Sequence, residues 1–151
     1  MERNYTQLKE NWKVFEKDTK NLWFPNNVYK CYHETPEFQR NPKKFDPDLL
    51  KPDFGFNVIN SSKEFWVECK QRRIQPGQTI LRIFKSGQRY RYSQHKNVII
   101  FIQLIQQEKI KYYLIPLYKL SSDYVALRLL RRYRVWQTDF IKPGLVRKYL
   151  C

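Results

Sequence analysis

Two carboxylates and an amine stand at a spacing that could do chemistry: Asp53, Glu68 and Lys70, within the stretch Lys51 to Arg73, KPDFGFNVINSSKEFWVECKQRR. Phe54 to Ile59 and Phe65 to Gln71 are rich in aromatic and β-branched residues, and Asn60-Ser61-Ser62-Lys63 between them is turn chemistry, so the stretch predicts a β-hairpin. A turn centred on Ser61-Ser62 sets Asn60 against Lys63, Phe56 against Val67, Gly55 against Glu68 and Asp53 against Lys70. Opposed residues of an antiparallel pair share a face and side chains alternate along each strand. Asp53, Glu68 and Lys70 then converge on one face with open space over Gly55, while Phe65, Val67 and Cys69 turn to a core. Such a group looks like a metal site with a cation beside it; the plainer alternative is a salt-bridged sheet face.

At these residues the chain resembles the PD-(D/E)xK nuclease superfamily. Pro52-Asp53 supplies the PD element and Glu68-Cys69-Lys70 the (D/E)xK element. Asp18-Thr19-Lys20 and Pro47-Asp48 fit the same short patterns, but they fall in a helical segment and a Pro-rich loop. The resemblance implies that Asp53 and Glu68 hold a divalent metal with the Cys69 carbonyl as a further ligand. It also implies that Lys70 orients or activates the attacking water and steadies the phosphate charge. Gln71 joins the expected catalytic set by orienting water or a ligand. The family's first helix often carries a glutamate that completes the metal site, which here is Glu16, with Glu10 as its competitor. Some branches carry Gln-x-x-x-Tyr after the (D/E)xK strand, and Gln88 and Tyr92 match it. Hard oxygen ligands of this kind suit Mg²⁺ or Mn²⁺.

The elements that must position these residues follow from periodicity. Leu8, Trp12, Phe15 and Thr19 recur at helical steps, giving a helix from Tyr5 to about Lys20, with Thr6 at its start. Val28 to His33 alternates as a strand, with His33 at its end rather than in the site. Thr35 to Leu50, with three prolines, reads as a long loop. Ser86 to Lys96 predicts a helix after the Pro76-Gly77 turn. Asn97 to Ile105, almost all apolar, reads as a central strand, and Ile110 to Leu117 as another near an edge because of Pro116. Ser121-Ser122-Asp123 resembles a cap before a basic helix from Tyr124 to Tyr133, and Trp136 to Cys151 has no clear pattern. The expected fold is therefore α/β, one domain over residues 1–151. The resemblance identifies it as a restriction-endonuclease-like αβββαβ core with a mixed sheet, one extra strand and a basic C-terminal helix.

Charge points to the partner. The chain carries 29 Lys plus Arg against 14 Asp plus Glu, a formal net charge of +15. A field of that size favours a polyanion, and nucleic acid is the commonest. From Cys69 to Gln107 there is no acid, while Arg72, Arg73, Arg82, Lys85, Arg89 and Arg91 are interleaved with Phe84, Tyr90 and Tyr92. With Gln88, Tyr92 and the helix residues Arg128, Arg131 and Arg132, they are the expected nucleic-acid-binding set, a phosphate track with stacking rings. No apolar run reaches membrane-span length, the first residues lack a secretory pattern, and three scattered cysteines imply neither disulfides nor zinc. A cytoplasmic protein without a membrane partner is expected.

The expected function is a Mg²⁺- or Mn²⁺-dependent endonuclease acting on DNA, with RNA the less favoured substrate. Its cutting is structure-selective or partner-directed, since no helix-turn-helix or zinc finger reads a sequence. A short chain of this type suits a resolvase-like homodimer. Two rivals are a non-catalytic nucleic-acid-binding module on the same fold, within a larger complex, and an interaction protein for an acidic partner. Against the first, carboxylates beside phosphate repel unless a metal lies between them.

Overall fold

The computed structural model describes residues 5–36, 51–142 and 144–150, with side chains from residue 12 onward. Most of the expected Thr35–Leu50 loop, the Pro47-Asp48 pair and the side chains of Thr6, Leu8 and Glu10 lie outside the described residues.

The apolar run read as a central strand is β5 (Val98–Gln106), and it is buried until its last residue. β3 (Glu64–Ile74) pairs with it in parallel, and β6 (Lys109–Pro116) runs antiparallel on its other side. Around this centre lies a mixed six-stranded sheet. β1 (Tyr29–Glu34) and β2 (Phe54–Val58) extend it antiparallel from β3, and β8 (Arg134–Val135) borders β6. A second, two-stranded ribbon is made by β4 (Ile80–Arg82) and β7 (Tyr124–Ala126).

Period-two alternation sorts the β5 side chains between two cores. Ile99 and Phe101 face α1 (Tyr5–Asp18), whose Phe15 ring lies 5.2 Å from that of Phe101. A π-helical turn, Thr19–Trp23, follows α1 and brings Trp23 to 5.1 Å from Phe101. Ile100, Ile102 and Leu104 face the ribbon, α2 (Gln88–Ser93) and the one-turn α3 (Leu127–Leu130). Each buried Ile or Phe stabilises by about 1.5–3 kcal/mol relative to exposure, so β5 anchors both layers.

Three expectations are corrected. The span Tyr124 to Tyr133 is not one helix: Val125 pairs with Leu81 in the ribbon, α3 is a single turn, and Arg131–Tyr133 is a 3-10 turn. Tyr-Val-Ala is good strand material, and a partner strand decides between the two forms. The Ser-Ser-Asp segment accordingly caps no helix; the Asp123 carbonyl accepts from the Ile83 and Phe84 N–H groups. The tail is structured, since the 3-10 turn Gln137–Ile141 and α4 (Gly144–Arg147) place Phe140, Val146 and Tyr149 in the α1-side core. The hairpin register is shifted by two: Phe56 faces Phe65 and Gly55 faces Trp66. The loop runs over residues 59–63, with Asn60 in the left-handed region at φ 62° and the Val58 N–H reaching the Lys63 carbonyl. An even shift leaves every side chain on its expected face.

Candidate active site

β2 begins one residue after Asp53, and the observed register, continued, sets Asp53 opposite Glu68. The Trp66 N–H donates to the Asn97 carbonyl on the β5 side. Cys69, three residues on, therefore presents its N–H and C=O to the β2 side. There the Asp53 Oδ2 accepts from the Cys69 N–H at 2.8 Å, so the carboxylate takes a place in the ladder that a strand carbonyl would have held. Asp53 is itself fixed from behind. The Thr35 N–H donates to the Asp53 carbonyl at 2.9 Å, and the Thr35 hydroxyl donates to the Pro52 carbonyl at 2.6 Å.

Glu68 and Lys70 alternate onto the same face and are almost fully buried, as is Asp53. The Lys70 Nζ lies 4.0 Å from a Glu68 oxygen and donates to the Gln88 Oε1 at 2.7 Å. It also sits over the rings of Phe84 and Tyr92, at 5.7 and 5.8 Å from their centroids. The Gln88 Nε2 donates to the Tyr92 hydroxyl at 3.3 Å, and that hydroxyl in turn bonds Glu68. Asp53, Glu68, Lys70, Gln88 and Tyr92 thus form one buried polar network.

Burial, and after it the Asp53 charge, push the Glu68 carboxyl well above the usual carboxylate range, with Lys70 and the Tyr92 hydrogen bond opposing. Burial also lowers Lys70, against the pull of Glu68. Two carboxylates in contact out of water disfavour their own double ionisation. A divalent cation on both would hold both ionised, and the Cys69 carbonyl faces the same side. This donor set fits one hard cation that keeps several waters.

Other expected residues are placed elsewhere. Gln71, odd in the alternation, turns to the α1 side, where its amide donates to Gln103 at 2.7 Å and Gln103 donates to the Tyr112 hydroxyl; it stands outside the network of Glu68 and Lys70. Glu16 is buried on α1, on the side of the sheet that Cys69 faces, and its charge acts on the Cys69 thiol, which burial pushes well up. Among the described residues no three His, Cys, Asp or Glu side chains form a ready metal-holding group. Glu16 lines a groove of about 630 Å³ with Lys13, Lys17, Lys20, Glu34 and Thr35, the last of which holds the Asp53 backbone. Gly55 leaves no open space: the Tyr32 ring fills it, 2.7 Å from where a Cβ would stand.

The expected nucleic-acid set divides. Gln88 and Tyr92 face inward to the site. The Arg72 guanidinium donates to the carbonyls of Gln71, Arg82 and Ile83, tying β3 to β4. Arg82 donates to the Phe84 carbonyl and lies against Tyr124. Arg73 and Lys85 are exposed and Arg89 and Arg91 half-buried, the latter two on α2. Arg132 is exposed; Arg128 and Arg131 border a separate cleft of about 550 Å³ with Ile74, Gln78 and Lys111. Ile74 is about 13 Å along β3 from Lys70. Thr35, Tyr32 and Trp66 were not read from the sequence as parts of this region; the place of Trp66, two before Glu68, was the available signal.

No family model matches the chain, and no curated protein matches it in sequence. Among solved structures it is similar to the 1.6 Å resolution structure of Hjc from Archaeoglobus fulgidus, a Holliday junction resolvase from an archaeal hyperthermophile. The identity is 14%, the TM-score 0.54, and the match covers 91% of this chain and 99% of that one. At that identity the likeness is one of fold: an α/β chain with a mixed central sheet flanked by helices, of the restriction-endonuclease-like type.

Proposed function

We propose that this chain, with its restriction-endonuclease-like fold, is a divalent-metal-dependent nuclease that hydrolyses DNA phosphodiesters at Asp53, Glu68 and Lys70. The observation that carries the reading is the burial of two touching carboxylates beside a lysine amine on one sheet face. Binding DNA calls for no such pair, and a folded core is better served by apolar side chains of similar volume. Asp53 and Glu68, with the Cys69 carbonyl, would hold Mg²⁺ or Mn²⁺. A metal bound there supplies charge for the phosphoryl oxygens and lowers the pKa of a bound water.

The chain's own groups do the positioning. The Cys69 N–H and the Thr35 clamp fix Asp53, and Tyr92 orients Glu68. Gln88 holds the Lys70 amine at the edge of the carboxylate pair, where it can donate to a phosphoryl oxygen or to the attacking water. Burial keeps that amine easier to deprotonate than a free lysine, which suits proton transfer as well as charge stabilisation. Lys85, whose charge reaches the Lys70 amine, and Arg89 and Arg91 on α2 are the cations we assign to the phosphate backbone.

The likeness to a Holliday junction resolvase supports a branched or otherwise structured DNA substrate. Two copies of the chain would supply one site per strand. The test is to incubate the protein with labelled linear, nicked, flapped and four-way DNA in Mg²⁺, Mn²⁺ or chelator. Metal-dependent cutting, strongest on branched forms, is the expected result. Salt-sensitive binding without cutting on any form, in either metal, would replace the enzyme with a non-catalytic module.

A further inference from the structure

Beside the carboxylates, the same sheet face carries a ring cluster that the chemistry above does not use. Trp66 and Glu68 are two apart on β3, so their side chains leave one face about 7 Å apart. Tyr32 and His33 meet the Trp66 ring edge-on, with centroids 5.8 and 5.3 Å away, and His95 lies against it at 5.3 Å. Tyr32 is 42% exposed, and the other three rings are half-buried.

Tyr32 is held in place by two features. A bulge in β1 between Cys31 and His33 lets both Tyr32 and His33 project to this face. The missing side chain at Gly55 gives the Tyr32 ring its seat. His33 also meets the Thr35 hydroxyl at 3.0 Å, the same hydroxyl that fixes Pro52, so cluster and site share a support. The Lys51 charge acts on His33, which places one cation at the rim, with the Glu64 carboxylate near Tyr32 as the opposing charge.

We propose that Tyr32, backed by Trp66 and flanked by His33 and His95, is a stacking platform for an unpaired nucleobase next to the phosphodiester held at Asp53, Glu68 and Lys70. The inference rests on the nuclease reading for that neighbouring phosphate. Every base has a π-face, and Tyr and Trp rings are the usual partners for it. Bases inside a duplex present no free face, so the platform discriminates for a branch point, flap or single-stranded end over continuous duplex. The Lys51 cation at the rim and the polar edges of the Tyr32 and imidazole rings suit a nucleobase better than an apolar peptide.

The experiment uses the full chain in Ca²⁺, which separates binding from cutting. The DNA carries 2-aminopurine as the first unpaired base beside a duplex, with the fully paired oligonucleotide as reference. Wild type and Tyr32→Phe are expected to quench the probe and prefer the unpaired form. Tyr32→Ala is expected to lose the quench and about tenfold of that preference, the size of one base–aromatic stack. Where Tyr32→Ala fails to fold, His95→Ala is read in the same assay and loses part of both. Unchanged quench and preference in a folded Tyr32→Ala protein overturn the platform. Equal binding of both DNAs by wild type overturns it too, and leaves the nuclease reading standing if metal-dependent cutting persists. Quench and preference in a wild-type protein that never cuts support the platform and overturn the nuclease reading instead.

Discussion

Replacing Glu68 by Gln should leave the metal-free protein at least as stable as wild type, an unusual outcome for a residue only 4% exposed. Lys70 at 4.0 Å attracts the Glu68 charge by about 4 kcal/mol at an effective dielectric constant of 20. Burying the carboxylate costs several kcal/mol, and Asp53 repels it, so its folded pKa lies well above the value of 4.5 that the unfolded chain would show. The sign follows from linkage. The folded state binds the Glu68 proton more tightly than the unfolded state, so this group's stabilisation is complete below the unfolded value. It declines as pH rises towards and through the folded one, at up to about 1.4 kcal/mol per unit. The amide introduced by Glu68→Gln has no such proton to lose. The variant should therefore match wild type near pH 5 and exceed it by about 1–2 kcal/mol near pH 8, roughly 2–8 °C in Tm. Lys70, lowered by burial, gives an opposite slope at higher pH, so the comparison belongs between pH 5 and 8. Saturating Mg²⁺ should reverse the order: at a hundred times Kd it adds about 2.7 kcal/mol to wild type and little to the variant. Thermal unfolding across pH, with chelator and with Mg²⁺, measures all of this. A Glu68→Gln protein less stable than wild type by more than about 1 kcal/mol throughout, or stabilised equally by Mg²⁺, would refute the reasoning.

Other perturbations have equally definite outcomes. Arg72→Ala removes three hydrogen bonds to backbone carbonyls and should cost about 3 kcal/mol, roughly 6–12 °C, in a chemical or thermal melt; a loss of DNA binding at unchanged stability would instead return Arg72 to the phosphate contacts. Gly55→Ala puts a Cβ against the Tyr32 ring. Because that ring is exposed and can swing away, the melt should show a loss of only about 1 kcal/mol, while 2-aminopurine quenching falls as in Tyr32→Ala. Replacing Arg128, Arg131 and Arg132 together should weaken DNA binding and lower the slope of log K against log salt by up to about 2.7. No change in slope would detach that face from DNA.

The central strand and the buried triad were legible because both rest on local pattern. β5 is apolar on both faces, which few other elements are, and Asp53, Glu68 and Lys70 share a face by parity alone. Parity survived an error in the turn, since a slip of two residues conserves faces. The same rule, applied to Gln71, already sends it to the other side. What lay hidden was tertiary. The Leu and Arg spacing from Tyr124 to Tyr133 mimics a helix until the β4 partner claims Val125. The bulge that exposes Tyr32 leaves no signature in Lys-Cys-Tyr-His, and Thr35 becomes a clamp only when Pro52 folds back onto it. Arg72 read as a phosphate contact because two of its carbonyl partners, Arg82 and Ile83, lie at the end of a strand too short to stand out in the sequence.

The most direct measurement is the single-turnover cleavage rate of a labelled four-way junction by wild type and Lys70→Met in Mg²⁺, at protein concentrations where Ca²⁺ titrations show both fully bound. Wild type should cut, with a fall of at least about a hundredfold in the variant, the lower end for loss of a general acid–base group. Equal rates in the two proteins would contradict the proposed site, because the chemistry would then lie somewhere other than the face shared by Asp53, Glu68 and Lys70.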